Sequence, residues 1–179
     1  MVRSGSSSRP RTATLPIAAV QRAGVAAPVL LGEALDAARF WPLLERRRAA
    51  RGGRRRDLSI AIKPDLDVFE PGAPTGTDPA LVEGLIGLLR KRGFERVTVC
   101  DGRNRTDDWL HNRGPLCVPD LVGYSFEAPA GVPYDVVWSG DDPVALPLAD
   151  HDAELPLRVY RAWAEADVRI SFAHAKTDD

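Results

Sequence analysis

The chain has 179 residues, the size of one ordinary domain with or without a short appended segment. Hydrophobic residues make up 44% of it and charged residues 27%, a balance that supports a globular core. No apolar run approaches the ~20 residues that a membrane helix needs, which excludes a transmembrane helix. Its two cysteines, Cys100 and Cys117, are too few for a disulfide scaffold and lack the spacing of a zinc knuckle. We therefore expect a cytoplasmic protein, in a reducing compartment.

Charge is distributed unevenly along the chain, although its net value is only −1. Residues 1–56 carry 12 basic and 3 acidic side chains, a net charge of +9, whereas residues 57–179 carry 12 basic and 22 acidic ones, a net charge of −10. Residues 1–14 are rich in Ser, Arg and Pro, which favours a disordered arm over a transit peptide of similar composition. The distribution of charge and composition predicts three parts: the arm over residues 1–14, a basic helical segment over residues 15–56, and an α/β domain over residues 57–179.

The basic helical segment contains a helical pattern over residues 32–50, which we expect Pro42 to kink or divide. Seven arginines then fall within residues 46–56, the Arg-rich segment. Such a run is compatible with phosphate contacts to nucleic acid, but it is also typical of a solvated helix end. No aromatic side chain is interleaved to stack on bases, which disfavours nucleic acid as the partner.

A strand–helix–strand unit begins the predicted α/β domain. Residues 58–62 (LSIAI) and 96–100 (RVTVC) read as strands, the first of them buried. Between them, Asp78 is a suitable N-cap, Pro79 suits the first helical position, and Gly93 follows the last turn. A unit of this kind is right-handed and its two strands are parallel.

Polar residues gather where these two strands end. Lys63 follows the first strand and Asp101 the second, and ligands of such sheets bind beyond the carboxyl ends of the strands. A lysine beside helical N–H groups suits a phosphate or carboxylate, but the same residues also fit a plain Lys63–Asp101 ion pair and an ordinary capped helix. The candidate ligand-binding residues of the loop and helix start are Thr75, Gly76, Thr77 and Asp78.

The last third of the chain contains weaker patterns. Strands are predicted over residues 134–138, 145–148 and 168–172, and helices over 107–112, 119–124 and 157–166. If the last strand is parallel to the others, His174 and Lys176 project from the same edge as Lys63. Metal binding by Asp107, Asp108 and His111, or by the acidic residues within 141–154, is a weaker interpretation than solvated surface. Because the chain stops just after a buried strand, we expect an incomplete domain.

Four blocks in order resemble the domain of unknown function 362 (DUF362) family. Residues 60–66 (IAIKPDL) resemble its IKPN segment. The Thr77-Asp78-Pro79 sequence and the helix that it begins also resemble the family pattern. Residues 97–102 are similar to the next block, and residues 166–177 to the block that ends in Lys-Thr, here Lys176-Thr177. The resemblance covers roughly residues 25–179. The chain departs from the family pattern at Asp65, His174 and Asp178.

The resemblance implies an α/β fold similar to the N-terminal half of nickel-pincer lactate racemases. Family members often carry an iron–sulfur module further along the chain, and their activity is largely unassigned. A Gly-, Leu- and Lys-Asn-rich family block that follows the Lys-Thr motif is absent here. We therefore expect no cofactor within this chain, with any iron–sulfur cluster in a missing part or a partner.

Three functions are compatible with these residues. The first is part of an enzyme, of which an oxidoreductase is one type, in which Lys63, Lys176 and Thr177 bind a small anion and His174 or Asp101 moves a proton. The second is a non-catalytic binding module that uses the Arg-rich segment. The third is an inactive, truncated product. No membrane partner is expected, and the oligomeric state is not indicated.

Overall fold

The computed structural model describes residues 18–66, 76–101, 123–128, 132–138, 142–146 and 157–173. The predicted arm over residues 1–14 and the predicted helix over 107–112 lie outside these ranges. The helices are α1 (Ala27–Ala37), α2 (Phe40–Arg51), α3 (Pro79–Lys91) and α4 (Arg161–Ala164). The strands are β1 (Ile60–Pro64), β2 (Val97–Asp101), β3 (Glu127–Ala128), β4 (Val132–Pro133), β5 (Asp135–Trp138), β6 (Pro143–Leu146), β7 (Leu157–Tyr160) and β8 (Val168–Phe172).

Four strands form one sheet in the order β5-β2-β1-β8, and all three neighbouring pairs are parallel. The carboxyl ends of β1, β2 and β8 therefore lie at one edge, which we call the carboxyl edge. Two short antiparallel pairs, β3–β4 and β6–β7, stand outside this sheet. The predicted α/β fold with a mostly parallel sheet and flanking helices is confirmed.

Apolar side chains of α3 pack on one face of the sheet. Leu85, Ile86 and Leu89 of the helix and Ile62 and Val99 of the strands are almost completely buried. Burying a side chain of this size contributes about 1.5–3 kcal/mol, so this contact is a main source of stability. A smaller cluster covers the opposite face; it consists of Ala61, Cys100, Tyr160 and Ala166, with Val137 and Trp163 packed against it.

The predicted caps of α3 are confirmed. Asp78 Oδ1 accepts a hydrogen bond of 2.8 Å from the backbone N–H of Ala80, and Pro79 is the first helical residue. Gly93 has φ +83°, the left-handed conformation that commonly ends a helix. Local chemistry alone therefore determined where this helix begins and ends.

Two other predictions require correction. The helical segment over residues 32–50 is divided, but at Arg39 (φ 54°) and not at Pro42, which lies in the first turn of α2 where its missing N–H costs nothing. Residues 157–166 are not one helix. Their first four residues form β7, because pairing with β6 overrides their weak helical pattern, and only Arg161–Ala164 is helical.

The other predicted strands begin and end within two residues of the observed strands. For the last strand, Val168–Phe172, the predicted and observed bounds are the same. The predicted helix over 119–124 falls mostly outside the described residues, and its last two, Gly123 and Tyr124, are not helical. Among the helices that the structure describes, none is both long and apolar enough to cross a membrane.

Candidate functional site

An ion pair joins two adjacent strands at the carboxyl edge. Lys63 Nζ lies 3.0 Å from Asp101 Oδ1 and donates a hydrogen bond of 3.3 Å to the carbonyl oxygen of Pro64. The Asp101 side chain is 4% exposed, whereas that of Lys63 is 38% exposed. An ammonium group has three N–H donors, so these two contacts do not use all of them. The plain ion pair, one of the two interpretations of the sequence, is therefore present, and the Lys63 side chain that it holds at the edge is partly exposed to solvent.

The residues just before α3 are tied to the sheet. Thr77 is 3% exposed, and its Oγ1 accepts a hydrogen bond of 2.8 Å from the N–H of Asp65 and donates one of 2.9 Å to the carbonyl oxygen of Phe172. The N–H of Thr77 donates to the carbonyl oxygen of Asp65 at 2.8 Å. The hydroxyl and the N–H of Thr77 therefore link the ends of β1 and β8 to the start of α3, so both groups have a structural role.

Gly76 lies against the same backbone. A Cβ atom at this position would stand 2.9 Å from the carbonyl oxygen of Asp65, closer than real Cβ atoms approach. Glycine is required here because the two chain segments pass at backbone distance.

We expect Gly76→Ala to lower the free energy of unfolding by about 1–3 kcal/mol, because neither backbone can move without breaking the Thr77 hydrogen bonds. Gly32→Ala in α1 is the matched control, since a Cβ there meets nothing within 4 Å. That control should gain up to about 1 kcal/mol, as alanine is the better helix former. Urea denaturation measures both changes, and equal effects at the two positions would contradict the close approach at Gly76.

The start of α3 offers few free donors. The N–H of Ala80 is bound by the side chain of Asp78, and the N–H groups of Leu81 and Val82 donate to the carbonyl oxygen of Asp78. The Asp78 carboxylate also occupies the positive end of the helix dipole. Any anion at this edge would therefore depend on Lys63 more than on the helix.

The other predicted site residues lie outside the described residues: Thr75, His174, Lys176 and Thr177. The strand before the last three, β8, pairs with β1 in parallel, with Phe172 opposite Pro64. The chain therefore leaves β8 at the carboxyl edge, as expected from the sequence. The proton-transfer role of His174 and the ligand-binding roles of Thr75, Lys176 and Thr177 stay predictions.

Three polar residues that join α3 to neighbouring segments were missed by the sequence analysis. Glu83 Oε1 accepts hydrogen bonds from the N–H and Oγ of Ser125, both at 2.8 Å, and from the hydroxyl of Tyr134 at 2.9 Å. These contacts hold the segment around Ser125 against α3. The partners are more than 40 residues apart in sequence, so no local pattern could have identified them.

Cys100 and Tyr160 face each other on the opposite side of the sheet. Burial raises the pKa of the Cys100 thiol to about 12, although a hydrogen bond to Tyr160 acts to lower it. The thiol is therefore protonated at neutral pH. An iron–sulfur cluster needs several thiolates, and the described residues contain only this cysteine. They also contain no group of three or more metal-ligating side chains, so this part of the chain does not fit such a cluster.

The Arg-rich segment is folded against neighbouring acidic residues. Arg48 and Arg55 pair with Glu45, Arg54 and Arg56 with Asp57, and Arg51 with Asp167. Arg47 Nε donates to the carbonyl oxygen of Asp167 at 3.0 Å. Five of the seven arginines thus have a carboxylate partner within the domain, so the segment is also a structural connection between α2 and the sheet. Its use on an external partner stays a prediction.

The fold and this edge define the class: an α/β protein with a parallel sheet, flanking helices, and a charged pair at the carboxyl ends of its strands. The model of one protein family, described as domain of unknown function (DUF362), matches residues 60–179, more than half of the chain. The chain therefore belongs to the DUF362 family, which confirms the resemblance. No curated protein and no solved structure matches it. The similarity to lactate racemases stays a prediction.

Proposed function

We propose that this domain binds a small anionic molecule, of the phosphate or carboxylate class, at the carboxyl edge of its sheet. The observation that carries the proposal is Lys63, whose ammonium lies 3.0 Å from a buried carboxylate while its side chain is 38% exposed. Ligands of parallel sheets bind beyond the carboxyl ends of the strands, and Lys63 is the next-to-last residue of β1 at that end. Lys176 is the second cation that we propose for the same ligand.

Asp101 serves this site best as a positioning residue. Its carboxylate is buried and forms an ion pair with Lys63, so it orients the ammonium. Desolvation of a charge is costly without a partner, which keeps the two groups together when no ligand is bound. In an enzymatic version of this function, His174 is the better group to move a proton, since the ordinary pKa of imidazole lies near neutrality.

The test is the affinity of the full chain for inorganic phosphate and for acetate, measured by calorimetry at constant ionic strength. We expect Lys63→Met to weaken the binding of whichever anion binds the wild type by about 10–100-fold, the value of one charge-assisted hydrogen bond. Lys91→Met is the matched control, because Lys91 is exposed at the far end of α3 and its loss changes the net charge equally.

Lys63→Met also leaves Asp101 without its cation, so Lys63→Arg is measured beside it. Arginine keeps the positive charge and should keep most of the binding. Equal losses of anion affinity in Lys63→Met and Lys91→Met would show that binding depends only on the net charge of the protein. A wild type that binds neither anion would overturn the proposal.

A further inference from the structure

Two grooves adjoin at the end of the sheet where β1, β2 and β8 begin, which we call the amino edge. The first has a volume of about 270 Å³, lies between the end of α2 and the start of β8, and is lined by Arg47, Arg51 and Arg169. The second has a volume of about 330 Å³ and is lined by Arg51, Arg96 and Thr98, with α4 beside it. Because Arg51 lines both grooves, they form one continuous surface at the amino edge.

Asp167 holds two of these arginines in place. Arg47 and Arg51 stand one turn apart on α2, and both donate through Nε to Asp167, Arg47 to the carbonyl oxygen at 3.0 Å and Arg51 to Oδ1. A guanidinium has five N–H donors, four of them on its Nη atoms. Among the described residues, none accepts a hydrogen bond from an Nη atom of Arg47 or Arg51. The two guanidinium groups are therefore fixed side by side with donors available at the grooves.

The second groove has a cation of its own. Arg96 is exposed, and the hydrogen bond that it makes, from Nη1 to the carbonyl oxygen of Asp57, is a long one of 3.4 Å. The half-buried Thr98 lines the same groove and adds a hydroxyl group. Each groove thus contains at least one arginine besides the shared Arg51.

Positive charge exceeds negative charge on this surface. Four arginines and two carboxylates, those of Asp167 and Glu165, line the two grooves, which gives a net charge of +2. The Asp167 carboxylate accepts hydrogen bonds from Ser59 as well as from Arg51. Glu165 Oε1 lies 2.8 Å from Arg161, which is not one of the four arginines. Both carboxylates are therefore balanced by protein groups, and the excess charge favours an anionic ligand.

We propose that the amino edge binds the diphosphate group of a small ligand, with one phosphate in each groove and Arg51 between them. An exposed ion pair contributes little by itself, so a ligand gains affinity here only by contacting several arginines at once. A water molecule occupies about 30 Å³ of the liquid, so each groove has room for a phosphate group with its five non-hydrogen atoms. This site lies at the other end of the strands from Lys63 and is independent of the proposed function.

The test is the affinity of the full chain for inorganic diphosphate, measured by calorimetry at constant ionic strength. Arg47→Met removes a cation from the first groove, and Arg96→Met removes one from the second. We expect each variant to weaken binding about fivefold, and the double variant about 25-fold, because the two arginines contact different phosphates. Arg46→Met is the matched control, since Arg46 is exposed, precedes Arg47 and lines neither groove. It should change the affinity by less than about twofold.

The outcomes separate this inference from simple charge attraction and from the proposed function. Equal losses in Arg46→Met and Arg47→Met would overturn it, because binding would then depend only on the net charge. Diphosphate binding that is lost in Lys63→Met but unchanged in both groove variants would place the ligand at the carboxyl edge, which also overturns it. A wild type that does not bind diphosphate overturns it as well, whatever the results for phosphate and acetate.

Adenosine diphosphate, titrated beside inorganic diphosphate, distinguishes the two sources of the group. Similar affinities for both would support the diphosphate group of a nucleotide as the ligand. Affinity for inorganic diphosphate alone would support the free ion. Affinity for the nucleotide alone would show that the grooves do not recognise the diphosphate group itself, which would overturn the inference.

Discussion

Asp167→Ala should lower the free energy of unfolding at pH 7 by about 2–3 kcal/mol, the cost of losing hydrogen bonds to a charged group. Asp167 Oδ2 accepts from the N–H and Oγ of Ser59, at 2.9 and 2.8 Å, and Oδ1 accepts from Arg51 Nε. The carboxylate is 18% exposed and joins the start of β8 to the residue before β1 and the end of α2. Urea denaturation of the full chain measures the change.

The effect should depend on pH. Burial alone would raise the pKa of Asp167, but the hydrogen bonds from Ser59 and the charge of Arg51 outweigh it and hold the pKa below its ordinary 3.8. A lowered folded-state pKa contributes stability that is complete above the unfolded-state value and is lost as pH falls through the folded-state value. The difference between wild type and Asp167→Asn should therefore be constant from pH 5 to 7 and shrink below about pH 4.

Asp142→Asn is the control for Asp167, because it removes the same charge from an arginine-paired carboxylate that is 59% exposed. Exposed pairs contribute about 0–1 kcal/mol, so this variant should unfold nearly as the wild type does. A difference between wild type and Asp167→Asn that grows on acidification would contradict the lowered pKa of Asp167.

Thr77→Val is expected to cost about 2–4 kcal/mol, because valine has the shape of threonine but removes an acceptor and a donor from a buried position. The N–H of Asp65 and the carbonyl oxygen of Phe172 both lose the hydroxyl that they bind. The ends of β1 and β8 would then be joined less firmly to the start of α3. Urea denaturation gives the free-energy change, and hydrogen exchange at the amide of Asp65 should become faster.

Thr77→Ser separates the hydroxyl from the methyl group. Serine keeps both hydrogen bonds and loses one methyl, so it should cost only about 1 kcal/mol. If Thr77→Ser proves as costly as Thr77→Val, packing of the methyl group would explain the stability of this corner, and the two hydrogen bonds would contribute little.

Much of the edge could be predicted from sequence because its elements are marked locally. Short β-branched runs identify the strands that carry Lys63 and Asp101, and Asp78-Pro79 marks the start of α3. The rule that a strand–helix–strand unit has parallel strands then places both side chains at one edge. The pairing of Lys63 with Asp101 was one of two open interpretations, since strand order alone does not determine where a flexible lysine side chain points.

What the sequence by itself determined is therefore the fold class, the family, the caps of α3 and the edge where the strands end. These properties follow from short-range chemistry: the period of apolar residues, the N-cap carboxylate and the glycine after the helix. Only the tertiary structure decided that residues 157–160 are a strand, that Asp167 binds Ser59 and Arg51, and that Glu83 accepts hydrogen bonds from Ser125 and Tyr134. Each of these depends on contacts between residues far apart in the chain, which no local pattern encodes.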